Sequence, residues 1–209
     1  MTLAKRLAQQ LARPHGIAGK LLGAAMDVVN RRPLELAVNL LDPQDGECVL
    51  DAGCGTGAAM AAMLRRAACS MTGADASATM LGAARHRLGD RADYALSRLE
   101  DLPFAPGTFH AVLALNVLYF DGAGQPMLRE LHRLLRPGGR LVAYVTDKAS
   151  MAGWAFARQG LHRLYDADEL TEAFAVAGFA QDAIEVQDVP ISRGVTGLLA
   201  KATRTADRV

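Results

Sequence analysis

The sequence predicts a doubly wound α/β domain, a Rossmann-like sheet of mostly parallel strands with helices on both faces. One observation behind this prediction is the apolar run 48–50, which ends in Asp51 and passes directly into a glycine-rich loop. Another is the alternation of strand-like apolar runs with helix-like periodicity along the chain. A third is Asp75, which ends the next apolar run about 20 residues further on. The length of 209 residues, with 51% hydrophobic residues, suits one such domain.

Seven helices are predicted from apolar residues spaced by three and four positions. The first two are short and amphipathic, and the break at 14–16 separates them. The helix at 126–136 has leucines on one face and arginines on the other. The predicted helices are 3–12, 18–30, 33–41, 58–67, 77–88, 126–136 and 167–177.

Seven strands alternate with these helices. The strand at 140–146 follows Pro137, which cannot continue a helix, and two glycines that can supply a left-handed turn. The longest uncharged run, 102–120, contains two prolines, so we interpret it as a loop and a buried parallel strand rather than a membrane span. The predicted strands are 48–51, 70–74, 92–95, 111–115, 140–146, 183–187 and 197–202.

The loop after the first strand has glycines at alternate positions, Gly53, Gly55 and Gly57. Glycines this dense are needed where the backbone takes a positive φ or comes within contact distance of a ligand. The next helix would direct its unpaired N–H groups and the positive end of its dipole at that ligand. The spacing G-x-G-x-G differs from the dinucleotide pattern G-x-G-x-x-G, which argues against a nicotinamide cofactor.

With Asp51 before it and Asp75 after it, this loop resembles the cofactor-binding motif of class I S-adenosylmethionine-dependent methyltransferases. Two further stretches match that family in the expected order, 99–109 with its Leu-Pro-Phe run and 134–142 with its Arg-Pro-Gly-Gly turn. The resemblance extends over residues 41–178. It implies a seven-stranded sheet in the order 3-2-1-4-5-7-6, with the last strand antiparallel.

The resemblance also implies that S-adenosylmethionine is the cofactor. The glycines would let the backbone approach its methionine part, and Asp51, with the carbonyls of Gly53 and Asn116, would suit its ammonium group. Asp75 would accept hydrogen bonds from the ribose hydroxyls. The predicted cofactor-binding residues are Asp51, Gly53, Cys54, Gly55, Gly57, Asp75, Ala76, Met80, Arg98, Leu99, Glu100 and Asn116.

The adenine end departs from the family in two ways. Ala76 stands where a larger apolar residue is usual, so we expect Met80 and Leu99 to supply more of the adenine wall. Arg98 stands where an acidic or amide residue usually accepts from the adenine amino group, and a guanidinium only donates. Either Glu100 takes over as the acceptor or the amino group is left to water.

No catalytic residue is assigned from the sequence. Methyl transfer is an in-line displacement, and alignment of the nucleophile at about 3 Å supplies much of the rate. Tyr119, Trp154 and His162 are candidates for acceptor contact, with His162 also a possible base. The competing interpretation is a hydrophobic plug around Trp154 and a solvent-facing His162. Further polar candidates are Asp121, Lys148, Arg158 and Tyr165.

Residues 1–32 carry six basic residues and one acid, Asp27, so this segment is +5 and the remainder of the chain is −4. We predict that 1–32 forms a helical lid and that 33–209 forms the methyltransferase domain. A solvated basic face is favoured over contact with a membrane surface. Nucleic acid is not expected as a partner, because the rest of the chain is acidic and only 5% of the residues are aromatic.

Three cysteines in a chain without a secretory signal suggest reduced thiols and a cytoplasmic location, and their spacing predicts no metal site. The composition suggests a bacterial source. The expected acceptor is a small molecule or lipid-like compound, such as a metabolite, a quinone precursor or a phospholipid amine. A non-catalytic methyltransferase-like partner subunit and a nicotinamide-dependent oxidoreductase are the alternatives, and the sequence fixes neither the acceptor atom nor the oligomeric state.

Overall fold

The computed structural model describes residues 16–157 and 162–206. The predicted helix 3–12 and the candidate Arg158 lie outside these residues. None of the helices in the described ranges has the length and apolar character needed to cross a bilayer.

Seven strands form one sheet in the order β3-β2-β1-β4-β5-β7-β6. Strands β1 to β5 pair in parallel, and β7 runs antiparallel to both β5 and β6. The predicted order and the antiparallel last strand are therefore confirmed. The strands are β1 (Cys48–Ala52), β2 (Ser70–Asp75), β3 (Asp93–Leu96), β4 (Phe109–Leu115), β5 (Leu135–Thr146), β6 (Ile184–Ser192) and β7 (Val195–Thr203).

Helices cover both faces of the sheet, as a doubly wound domain requires. The helices are α1 (Gly16–Val29), α2 (Arg31–Leu41), α3 (Ala58–Leu64), α4 (Ala78–Leu88), α5 (Pro126–Leu134), α6 (Lys148–Met151) and α7 (Ala167–Ala177). Successive strand residues point to opposite faces, so Val49 lies in a core cluster with residues of α2, α3 and α4, while its neighbour Leu50 lies in a cluster with residues of α5 and α7.

Some element boundaries differ from the sequence prediction. Helix α5 ends at Leu134 rather than Arg136, because the chain enters β5 at Leu135 and pairs there with Phe109 of β4. The short helix α6 was not predicted. The Asp147 side chain caps it by accepting from the N–H groups of Ala149 and Ser150.

The fold brings the carboxyl ends of three strands together. Strand β1 lies between β2 and β4, so the chain crosses from one side of the sheet to the other at this point. Ligands of open α/β sheets bind in the crevice formed there. Asp51 in β1, Asp75 at the end of β2 and Asn116 directly after β4 meet at this edge.

Candidate active site

A cavity of about 380 Å³ opens at the carboxyl edge of β1, β2 and β4. All of the predicted cofactor-binding residues line it except Gly57. Gly57 instead begins α3 with φ +76°, and a Cβ there would lie 3.1 Å from the Cβ of Ala84 in α4. This glycine therefore permits close packing of two helices.

The glycine loop is fixed by its backbone. The N–H groups of Gly53 and Cys54 both donate to the carbonyl of Ala74, at 2.8 and 3.0 Å. Gly53 has φ +79°, and a Cβ at this position would overlap the side chain of Val117. A residue other than glycine is thus excluded both by backbone conformation and by space.

Asp51 is an almost fully buried carboxylate with an unsatisfied oxygen. Its side chain is 1% exposed, and Oδ2 has no hydrogen-bond partner among the described residues. Burial, and then the nearby charge of Asp75, raises the pKa of Asp51 to about 7. A buried carboxylate on the wall of a cavity is a site for a cationic group.

Asp75 organises the loop as well as facing the cavity. One carboxylate oxygen accepts from the Gly55 N–H at 3.0 Å and the other from the Ser77 N–H at 2.8 Å. Burial raises its pKa, while these two hydrogen bonds act against that rise. Each oxygen keeps a second lone pair, so Asp75 has acceptor capacity left for two hydroxyl groups.

Asn116 adopts a left-handed backbone conformation, with φ +58°. Its side chain is held at both ends, because Nδ2 donates to Oδ1 of Asn30 at 3.0 Å and Oδ1 accepts from the Tyr119 hydroxyl at 3.0 Å. The Thr146 N–H in turn donates to the Tyr119 oxygen at 2.5 Å. A non-glycine residue in this conformation persists only where its surroundings hold it, and here they do so through side chains from two other segments.

Arg98, which differs from the residue type usual at the adenine end, forms an ion pair with Glu100. The Arg98 guanidinium donates to both carboxylate oxygens of Glu100, through Nη2 at 2.7 Å and Nε at 3.4 Å. Both side chains line the cavity, and Glu100 is the less exposed of the two. The arrangement holds a carboxylate acceptor at the cavity wall, which the guanidinium alone would not supply.

Helix α1, which belongs to the segment 1–32 predicted as a lid, forms a wall of the same cavity, although none of its residues was among the predicted site residues. Gly23, Met26, Asp27 and Asn30 all line it. A Cβ on Gly23 would lie 2.9 Å from Cγ2 of Thr56, so the helix sits directly on the glycine loop. Asp27 also stands out in the sequence, because it is the single acid among residues 1–32.

The predicted acceptor contacts form an aromatic cluster behind the cavity wall. The ring of His162 lies 5.1 Å from Phe120, 5.4 Å from Phe156 and 6.0 Å from Tyr119, and Trp154 is 5.5 Å from Phe156. Of these five residues, only Phe120 lines the cavity. The predicted contacts Tyr119, Trp154 and His162 do not line it. Burial lowers the pKa of His162, and its Nδ1 has no partner among the described residues.

Other polar candidates have structural roles. The carboxylate of Asp121 accepts from the first N–H groups of α5, at Met127 and Leu128. Lys148 pairs with Glu169 at 2.6 Å. The Tyr165 hydroxyl is fully buried and donates to a backbone carbonyl. Within the described ranges, no group of three His, Cys, Asp or Glu side chains could hold a metal ion.

Comparison with known proteins shows what this chain is similar to. Residues 49–139 match the family model described as "Methyltransferase domain". A methyltransferase, GfsG, of Streptomyces halstedii is 35% identical over 115 residues, which is 53% of this chain and 41% of that protein. The demethylmenaquinone methyltransferase of Tropheryma whipplei is 41% identical over 108 residues, 51% of this chain and 44% of that protein. These matches confirm the resemblance found in the sequence.

A solved structure extends the similarity to almost the whole chain. The 1,6-didemethyltoxoflavin-N1-methyltransferase of Burkholderia thailandensis, with S-adenosylhomocysteine bound, superposes with a TM-score of 0.70 at 22% identity. The superposition covers 99% of this chain and 92% of that one. At this identity it shows a shared fold. The chain spans less than half the length of the two curated relatives above.

Proposed function

We propose that this chain transfers a methyl group from S-adenosylmethionine to a small-molecule or lipid-like acceptor. The match of residues 49–139 to a methyltransferase-domain model and the shared fold support the proposal. The single observation that carries the proposal is Asp51. A buried carboxylate with an orphaned oxygen, next to a glycine turn that leaves room for a ligand, fits the ammonium of an amino-acid moiety. Asp75 fits the ribose of the same cofactor.

When bound, S-adenosylmethionine supplies an electrophilic methyl group on a sulfonium. The chain's own residues bind and orient it. Asp51 and the carbonyls of Gly53 and Asn116 are proposed to hold the ammonium, and Asp75 the ribose hydroxyls. Glu100, held by Arg98, is proposed to accept from the adenine amino group, with Met80 and Leu99 packing on the ring.

Residues 1–32 are proposed to act as a lid over this site. The wall that α1 contributes to the cavity supports the proposal, and the boundary after residue 32 falls inside α2. A lid excludes water and holds the acceptor near the methyl group, and such positioning accounts for much of the rate in a displacement of this kind. We assign no general base, because alignment alone is sufficient for an acceptor that is already nucleophilic.

The acceptor class is proposed from the cavity and from the relatives. Phe120 and the apolar Met26, Met127 and Val117 line the cavity beside its polar residues. Among the similar proteins, one is a demethylmenaquinone methyltransferase and another has 1,6-didemethyltoxoflavin bound. A cytoplasmic location belongs to the same proposal and is supported by three free cysteines.

Thermal shift and methyl transfer together test this function. We expect S-adenosylmethionine and S-adenosylhomocysteine to raise the melting temperature, NAD to leave it unchanged, and tritiated cofactor to label an acceptor in a small-molecule and quinone-precursor panel. Asp51→Asn should abolish the shift by S-adenosylmethionine, whereas Asp182→Asn on the exposed surface should not. Stabilisation by NAD alone would favour the oxidoreductase. Cofactor binding without labelling of any acceptor would favour the partner subunit.

A further inference from the structure

A second, arginine-rich groove adjoins the candidate active site. Five arginines line it, from the start of α2, the end of α3 and the end of α4 with the turn that follows: Arg31, Arg65, Arg66, Arg87 and Arg91. Two carboxylates, Asp27 and Glu35, also line it, which leaves a net charge of three positives. Asp27, Leu34 and Ala58 line both this groove and the cofactor cavity, so the two share a wall.

The arginines of the groove retain donors for a ligand. The Arg65 side chain makes no hydrogen bond or ion pair with any residue in the described ranges, and the residue is exposed. Arg31 pairs with Glu35 one helical turn away, with side-chain exposures of 82% and 55%, and an ion pair this exposed is held only weakly. These two guanidinium groups are thus available to a ligand without disturbing the fold.

Two exposed valines end helix α1, next in the chain to residues that line the groove. Val28 is 77% exposed and Val29 is 68% exposed, the highest values among the exposed large hydrophobic residues in the described ranges. In the chain they stand between Asp27 and Arg31, both of which line the groove. Exposed aliphatic residues next to a cationic surface are typical of segments that lie at the boundary between lipid headgroups and acyl chains.

We propose that the arginine groove, with Val28 and Val29, docks on the phosphate headgroups of an anionic membrane. Charge complementarity identifies the partner, because guanidinium groups bind phosphates through paired donors and the groove carries an excess of them. The shared wall gives the contact a purpose, since docking would bring the cavity next to the lipid phase. The delivery of a lipid-like acceptor to the cavity rests on the proposed function. The docking on the membrane does not depend on that function.

Vesicle co-sedimentation of the full chain tests the docking. We expect binding to phosphatidylcholine vesicles only when they contain phosphatidylglycerol, with release by sodium chloride. Arg65→Gln should weaken partitioning about fivefold, since one basic residue near an anionic surface contributes about 1 kcal/mol. Val28→Ser should weaken it as well. The matched control Arg193→Gln, in the turn between β6 and β7, should have an effect of less than about twofold.

Three outcomes would overturn the proposal: no binding to phosphatidylglycerol vesicles at low salt, equal losses for Arg65→Gln and Arg193→Gln, or displacement by inorganic phosphate well beyond that by sodium chloride at equal ionic strength. The last would assign the groove to a free phosphate compound instead. Calorimetry with S-adenosylmethionine is run on the same samples. If the vesicles are not bound but the cofactor is, the result counts against the groove alone. If the vesicles are bound but the cofactor is not, the result counts against the proposed function.

Discussion

Asp27 of α1 accepts a hydrogen bond from the hydroxyl of Thr56 at 2.6 Å, and its other oxygen pairs with Arg87 at 2.6 Å. Thr56 stands within the glycine loop and Arg87 in the last turn of α4. One carboxylate therefore fastens the helix that covers the cavity to both elements on which the cofactor would rest.

Breaking this contact should loosen the cofactor. We expect Asp27→Asn to weaken S-adenosylmethionine binding about tenfold, mainly through faster dissociation, because hydrogen bonds to charged groups contribute roughly 1.5–3 kcal/mol. Arg87→Gln removes only the partly exposed ion pair and should cost far less. Stopped-flow displacement measures the rate of cofactor dissociation from each variant. Identical dissociation rates in Asp27→Asn and wild type would contradict the role of α1 as a wall.

Asp75→Ala should weaken S-adenosylmethionine binding by roughly 2–3 kcal/mol, because the ribose loses a charged acceptor. The same change frees the Gly55 N–H, so Asp75→Asn serves as a control that keeps one acceptor oxygen for the loop. Calorimetry measures the affinity for the cofactor. Thermal melting without cofactor measures the stability lost when the loop loses its hydrogen bond to Asp75. Unchanged affinity in both variants would remove Asp75 from the binding site.

Glu100 and Arg98 should contribute unequally to adenine recognition. We expect Glu100→Gln to reduce cofactor affinity by roughly 1–2 kcal/mol, because the amino group loses a charged acceptor. Arg98→Gln should cost less than about 1 kcal/mol, since Arg98 is 65% exposed and acts by orienting Glu100. If calorimetry shows the two losses to be equal, the guanidinium itself contacts the cofactor.

Asp51 should make both stability and binding depend on pH. Its pKa of about 7 in the fold lies above the value of about 3.9 expected in the unfolded chain. Without cofactor, the stability contributed by the protonated carboxyl is present below about pH 4 and is lost as the pH rises towards 7, on the order of 4 kcal/mol in total.

Because an ammonium group favours the ionised carboxylate, cofactor binding near about pH 6 should release a proton, and affinity should rise with pH up to about 7. Calorimetry in two buffers with different ionisation enthalpies measures the proton count. Any cofactor binding that remains in Asp51→Asn should proceed without this proton release. A binding enthalpy that is the same in both buffers for wild type would argue against Asp51 as the ammonium partner.

Tyr119 should act as a positioning residue through Asn116. Tyr119→Phe removes the donor to the Asn116 side chain and the acceptor of the Thr146 N–H, a loss of about 1–3 kcal/mol of stability. We also expect weaker cofactor binding, because the left-handed Asn116 is held less firmly. Tyr144→Phe, a buried tyrosine with no hydrogen bond to the Asn116 side chain, should lose stability without that change in affinity.

Local sequence signals were sufficient for the parts of the site built by one segment each. The glycine loop, Asp51 and Asp75 belong to one strand–loop–helix–strand unit, and Asp51, Gly53, Gly55 and Asp75 line one cavity. The sheet order followed from the family resemblance. Periodicity alone predicts where the strands lie in the sequence but not which strands are adjacent in the sheet.

The roles that the sequence did not show are those that depend on approach between distant segments. Helix α1 is amphipathic like many surface helices, and nothing in its periodicity shows that Asp27 meets Thr56 and Arg87. Tyr119 looks equally suited to a cavity or a core, and its burial follows from contacts with Asn116 and Thr146. The start of β5 at Leu135 likewise depends on pairing with β4, which outweighs the helical spacing of the leucines.

The unsatisfied oxygen of Asp51 has a consequence for the lifetime of the protein. A fold that buries a carboxylate for an external cation is least stable when that cation is scarce, and a ligand that binds only the folded state stabilises it in proportion to the logarithm of its concentration. We expect resistance to limited proteolysis to rise with added S-adenosylmethionine in wild type and to stay flat in Asp51→Asn. Cellular abundance of the protein would then follow the supply of its own methyl donor.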